Sequence, residues 1–137
     1  MTNQSKKTNI NAPAEKIFVY ISNFNNFGGL LPEQVEGWRS TENECFFQIK
    51  GLTEMGLLIK EKTPYSKITI VNHPDVSLPL SFTLVFDLES SASGSETQTQ
   101  VTMETDVNPM MAMMLKKPLA TFVDTLVDKL KEKMEMC

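Results

Sequence analysis

Histidine and cysteine are scarce: the 137 residues contain one histidine and two cysteines. Cys45 and Cys137 are too few for a disulfide framework and too far apart for a metal-ligand motif, and the lone His73 adds no usable third donor. The six glycines form no phosphate-cradling loop. No apolar stretch approaches the ~18 residues that read as a membrane span. The opening Met1-Thr2-Asn3-Gln4-Ser5-Lys6-Lys7 has two lysines but no apolar segment behind them, which is not the pattern of a signal peptide. Positive charge is also short. With 13 Lys and Arg against 17 Asp and Glu, the net charge of −4 speaks against nucleic acid as a principal partner. These absences leave no catalytic, metal-binding or cofactor-binding constellation, and they make a cytoplasmic protein without stable membrane insertion the expectation.

What remains is the composition of an ordinary globular protein, 41% hydrophobic and 22% charged. The length suits one domain spanning residues 1–137, which buries about two-thirds of its unfolded surface and needs no cross-link to fold.

Asn11-Ala12-Pro13-Ala14-Glu15 opens a helix, because proline in a first turn gives up only an N–H that has no partner there and an early glutamate suits the helix dipole. The spacing predicts this helix over 13–22, with Ala14, Ile17, Phe18 and Ile21 on one face. Residues 23–32 are too rich in asparagine and glycine for a long helix, yet Phe24, Phe27, Leu30 and Leu31 suggest a short second one that Pro32 ends. From Val35 to Asn108 the period changes to two. Strands are expected over 35–41, 44–51, 54–62, 66–72, 80–90 and 97–107, with a leading strand near 6–10. The clearest alternation sets Leu80, Phe82, Leu84, Phe86 and Leu88 on one face and Ser81, Thr83, Asp87 and Glu89 on the other. In the last strand Thr99, Val101, Met103, Thr105 and Val107 share the inward face, and Ser90-Ser91-Ala92-Ser93-Gly94-Ser95 reads as a hairpin tip.

After Asn108-Pro109 the period returns to that of a helix. Leu115, Leu119, Phe122, Val123, Leu126, Leu130 and Met134 form its apolar stripe, opposed by Asp124, Asp128, Lys131, Glu132 and Glu135. Pro118 lies inside it and predicts a kink near residues 114–118. The start of this helix, Met110-Met111-Ala112-Met113-Met114-Leu115, places four of the nine methionines within five residues. Methionine is flexible and polarizable, so such a cluster suits an adaptable apolar contact.

The opening Asn11-Ala12-Pro13-Ala14-Glu15-Lys16-Ile17-Phe18-Val19-Tyr20-Ile21-Ser22, with Phe24, Phe27 and Leu30-Leu31-Pro32 after it and the Lys116-Lys117-Pro118-Leu119 step before the last helix, resembles the START and birch-pollen-allergen superfamily. The likeness is to its small bacterial polyketide cyclase/dehydrase-like (SRPBCC) branch, and it spans nearly the whole chain. It implies an α+β helix-grip fold, in which a curved seven-stranded antiparallel sheet wraps a long C-terminal helix with two short helices after the first strand. It also implies a hydrophobic cavity between sheet and helix. These motifs are structural, and fold alone does not choose a function.

Within that frame Met110, Met111, Met114 and Leu115 are expected to turn inward as the roof or mouth of the cavity, with Phe122 beside them. Phe47, Ile59, Ile70, Phe82, Leu84, Phe86, Val101 and Met103, together with Leu57, Ile49 and Ile68, supply the walls. Alternation carries Glu61 to the inward side near a strand end, where solvation is expected. His73, in the turn Asn72-His73-Pro74-Asp75, reads as a solvated turn histidine rather than a catalytic one. Trp38-Arg39 would frame the opening, Cys45 is expected to be buried, and Cys137 to be an exposed thiol. The favoured function is non-catalytic binding or transport of an apolar or amphipathic small molecule such as a lipid, isoprenoid or polyketide-like aromatic. The alternatives are a cyclase/dehydrase-type enzyme using the same cavity and a protein-interaction domain using the methionine-rich surface, which leaves homodimer formation open.

Overall fold

Period-two alternation can be satisfied only by a sheet with one dry face, and in the computed structural model of the protein that face wraps the C-terminal helix. The structure describes residues 1–30, 35–49, 54–76 and 81–136, with the backbone alone at Ile49 and Leu115. The expectations for Leu31, Pro32, Gly51, Leu80 and Cys137, and for the side chain of Leu115, lie outside the described residues. Eight strands, β1 (Thr2–Gln4), β2 (Thr8–Ile10), β3 (Val35–Ser40), β4 (Glu44–Ile49), β5 (Glu54–Thr63), β6 (Lys67–Asn72), β7 (Phe82–Ser90) and β8 (Thr97–Thr105), form one antiparallel sheet in the order β1-β8-β7-β6-β5-β4-β3, with β2 also on β8. β1 and β2 therefore share one edge, so the sheet is seven strands wide, as the resemblance implies. The edge is interrupted at Ser5, whose Oγ accepts from the Val101 N–H at 2.9 Å in place of a regular ladder bond.

The registers Cys45↔Leu57, Ile59↔Ile70, Ile70↔Leu84, Leu84↔Met103 and Phe86↔Val101 carry one apolar stripe across the sheet. Helix α2 (Pro109–Glu135) lies on that stripe and closes the core with Val123, Leu126, Val127, Leu130 and Met134. Its second half is strapped to the β1/β2 edge. The Lys6 N–H donates to Asp124 at 3.2 Å, Lys6 Nζ reaches Asp128 at 3.1 Å, Lys131 Nζ donates to the Asn9 carbonyl at 2.8 Å, and the Asn11 N–H donates to Glu135 at 2.9 Å. The helix starts cleanly, with Pro109 in its first turn and the Asn108 side chain accepting from the Met111 N–H at 2.9 Å. It runs unbroken through Pro118. That residue is exposed, so the Met114 carbonyl it leaves unbonded can be met by water.

Helix α1 (Ala14–Ile21) and the 3-10 turn Phe24–Gly29 plug one end of the grip. Phe27 meets Phe86 edge-on at 6.0 Å between ring centroids, and Phe24 meets Trp38 at 6.3 Å. At this end Ile10, Ile17, Ile21, Ile68, Phe86 and Leu130 have no accessible surface.

Candidate functional site

The opposite end of the grip is where β3 begins, β4 ends, β5 and β7 begin, β8 ends and α2 starts, as the pairings Val35↔Ile49, Phe47↔Met55 and Phe82↔Thr105 require. Burial falls off there. Val35, Met55, Leu119 and Phe122 pack against the core but are only partly buried, as are Trp38 between Phe24 and Phe47 and, on α1 at the plugged end, Phe18 and Tyr20. The wall residues divide accordingly. Ile70, Phe86 and Val101 have no accessible surface, their neighbours occupying the space in which a ligand would touch them, and Leu84 keeps 2%. Phe47, Ile59, Phe82 and Met103 retain between 5% and 9%.

The polar atoms of the inner face are few and incompletely matched. Thr97 Oγ1 donates to the Ala12 carbonyl at 2.8 Å. Asn3 Nδ2, Trp38 Nε1 and Thr99 Oγ1 are buried with no hydrogen-bond partner among the described residues. A buried N–H without a partner is costly in an apolar interior and calls for an acceptor. Asn3 pairs with Met103 across the ladder near the partly buried end, and Trp38 stacks on Phe47 at 5.5 Å between centroids on the far side of the sheet. The inner wall thus offers donors of neutral groups among apolar and aromatic surfaces. Cys45 belongs to the same face, fully buried, and burial pushes its thiol up to about 12, so it stays protonated and inert.

Two expectations from sequence are corrected. Met110, Met113 and Met114 do not reach inward; they are 75%, 83% and 72% exposed, and Met111 is 36% exposed. The reason is phase. Carried back at about 3.6 residues per turn, the stripe of Leu119, Val123 and Leu126 passes through Ala112 and leaves Met110, Met113 and Met114 on the opposite side. That signal was present in the sequence. Glu61 is exposed, as expected for a solvated strand end, and a register shift between Ile59 and Glu61 breaks the alternation that would carry it inward.

His73 is the second correction: it is 5% exposed, not solvated. Its backbone N–H donates to the Gly56 carbonyl at 2.9 Å, its Nδ1 accepts the Asp75 N–H at 3.0 Å, and its Nε2–H therefore donates to Glu44 Oε2 at 2.7 Å. The ring lies 4.7 Å from that of Phe46, over which Arg39 sits at 5.5 Å while pairing with Glu54. Phe46 alternates with the inward Cys45 and Phe47, so this cluster is on the outer face of the sheet. Both imidazole nitrogens are engaged there, and the histidine is held as a cross-strand staple away from the inner face of the sheet. The sequence signal it hid behind is Gly56, where an added Cβ would stand 2.9 Å from His73 Cβ and 2.8 Å from Val76 Cγ2. A side chain at position 56 would collide with the His73 Cβ and with Val76.

No protein-family model and no curated protein sequence matches the chain. Solved structures do match in shape. A START superfamily protein from Mycobacterium smegmatis superposes with a TM-score of 0.68 at 14% identity, covering 98% of this chain and 97% of that one. A conserved protein from Geobacillus kaustophilus gives 0.74 at 10% identity, with 98% and 95% covered, and a protein from Thermobifida fusca gives 0.72 at 16%, with 97% and 92% covered. With the curved antiparallel sheet, the plugging helices and the long gripped helix, these likenesses show that the chain has the START-type helix-grip fold.

Proposed function

We propose that this protein is a single helix-grip domain that binds or carries an apolar or amphipathic small molecule between the sheet and the first half of α2. The observation that carries the reading is the unequal finish of the two ends. Ring contacts close one end, whereas Val35, Met55, Leu119 and Phe122 stay partly uncovered at the other, and the buried donors Trp38 Nε1 and Asn3 Nδ2, on opposite edge strands, have no hydrogen-bond partner among the described residues. A ligand with an apolar body and one or two acceptor oxygens would cover the first and satisfy the second. Phe47, Phe82, Met103 and Phe122 form its contacts in this reading, and the fully buried Ile70, Phe86 and Val101 support them from behind. Two isolated cysteines fit a reducing, cytoplasmic setting.

Trp38 is the only tryptophan, so its emission reports on this region directly. Titration with a medium-chain fatty alcohol, which has an apolar body and one hydroxyl, is expected to give a saturable one-to-one change in Trp38 fluorescence. Native mass spectrometry of freshly purified protein is expected to show a bound small molecule at the same stoichiometry. Absence of both signals in folded protein overturns the reading.

A further inference from the structure

The first turns of α2 carry an apolar and basic surface that nothing in the fold covers. Met110, Met113 and Met114 are 75%, 83% and 72% exposed, and Lys117 shares their face at spacings of three, four and seven. Lys116 stands beside them. Both lysines are exposed, and neither forms an ion pair among the described residues. No aspartate or glutamate occurs from residue 107 to residue 123. The same helix face becomes acidic only at Asp124 and Asp128, which Lys6 engages.

From this juxtaposition we propose that Met110, Met113, Met114, Lys116 and Lys117 form a reversible docking surface for an anionic lipid bilayer. The methionine side chains leave water for the acyl boundary, and the lysines lay their stems along the surface with the ammonium groups at the phosphates. Each signal alone binds weakly; an apolar anchor together with a basic patch is the combination that holds. Charge complementarity selects the bilayer over a second copy of the chain. A second copy seated on this patch would bring the same lysines to it with no acid in the segment to pair them. The whole chain carries a net charge of −4, so everything outside this patch is more acidic still, is repelled by an anionic surface and orients this end toward it. No helix among the described residues is long and apolar enough to cross a membrane, so the contact is peripheral. Docking here sets the partly uncovered end of the grip, with Leu119 and Phe122, against the lipid.

Sedimentation of the full chain with phosphatidylglycerol vesicles, and separately with phosphatidylcholine vesicles, tests the surface without requiring any interior ligand. Binding to the anionic vesicles alone is expected, weakening as salt is raised. The double substitution K116Q/K117Q is expected to lower partitioning about thirtyfold, at roughly fivefold per lysine near such a surface. The triple substitution M110S/M113S/M114S, at positions whose exposure leaves the core untouched, is expected to abolish what remains while the circular dichroism spectrum is retained. No sedimentation with phosphatidylglycerol at low salt, or equal sedimentation of the lysine variant, overturns the proposal. So does a dimer that dissociates in the methionine variant without vesicle binding, which would assign the patch to self-association. The fatty-alcohol titration read through Trp38 is expected to be unchanged in both variants, so failure of ligand binding and failure of membrane docking are separately visible.

Discussion

Replacing His73 by alanine should destabilise the protein by about 2–4 kcal/mol, although the residue sits in a turn and on the face of the sheet away from the core. Three contributions build that figure. The bond from Nε2–H to Glu44 at 2.7 Å has a carboxylate acceptor, but the Glu44 side chain is 41% exposed, which holds the contribution near about 1–1.5 kcal/mol. The Asp75 N–H loses its acceptor at Nδ1, worth about 0.5–1.5 kcal/mol in a partly buried turn. Loss of the ring against Phe46 at 4.7 Å removes about 0.5–1.5 kcal/mol and opens a hole over Gly56. The three are coupled and need not sum fully.

Urea denaturation followed by circular dichroism measures the effect as a lower midpoint at unchanged slope. In thermal melts the same loss is roughly 6–15 °C for a chain of this size. Two comparisons fix the cause. Glu44→Gln keeps an acceptor oxygen in place and should cost less than about 1 kcal/mol. Gly56→Ala, which thrusts a methyl group to 2.9 Å from His73 Cβ, should cost about 1–3 kcal/mol with His73 present and less in the His73→Ala background. A cost below about 0.5 kcal/mol for His73→Ala, or strict additivity with Gly56→Ala, would refute the staple.

Leu84→Ala, in the centre of the stripe at 2% exposure, should cost about 2–5 kcal/mol by lost transfer energy and the cavity left behind, read as a shift in denaturation midpoint. The Cys45 thiol is raised from 9.0 to about 12 by burial, so above pH ~9 the unfolded state releases a proton that the folded state keeps; stability should therefore fall with rising pH up to about 12, and Cys45→Ala should flatten that slope. At pH 8 iodoacetamide should modify Cys45 only as fast as the protein opens, and labelling at the rate of an unfolded cysteine would contradict its burial. Amides of residues 112–117 should exchange with deuterium much faster than those of 122–130, because the straps to Lys6, Asn9 and Asn11 all fall at Asp124 or beyond; equal protection would show that the first turns of α2 are as firmly held as the rest.

Most of the sheet was legible because its information is local. Alternation over Phe82 to Leu88 and Thr97 to Thr105 specifies both the strands and the side they bury, and the three-four spacing from Leu119 to Met134 specifies the surface they meet. β1 was not legible. Thr2-Asn3-Gln4 has no apolar residue, and it is a strand because β8 offers an unpaired edge, with the Asn3 side chain buried as a result. His73 was misjudged for a related reason. Its partner Glu44 lies 29 residues away, and the close approach of its Cβ is allowed by a missing side chain on β5. A turn motif describes the backbone of residues 72–75 correctly and carries no record of either.

The methionine run fails differently, since six consecutive apolar residues have no period of their own and permit every facing. The facing is inherited from the residues that follow. Once Val123, Leu126, Val127 and Leu130 are committed to the sheet, helix geometry obliges Met110, Met113 and Met114 to point away from it. Had the chain needed only to fill an interior, apolar residues at Ala112 and Leu115 would have sufficed and polar ones at the other positions would have kept the helix soluble. Large apolar side chains instead occupy the outward positions, next to two lysines without an ion pair among the described residues and at the end of the grip that burial leaves unfinished. Exposed apolar surface of that kind brings aggregation risk without contributing to stability, and its coincidence with local positive charge on an acidic protein is what a lipid-facing surface requires.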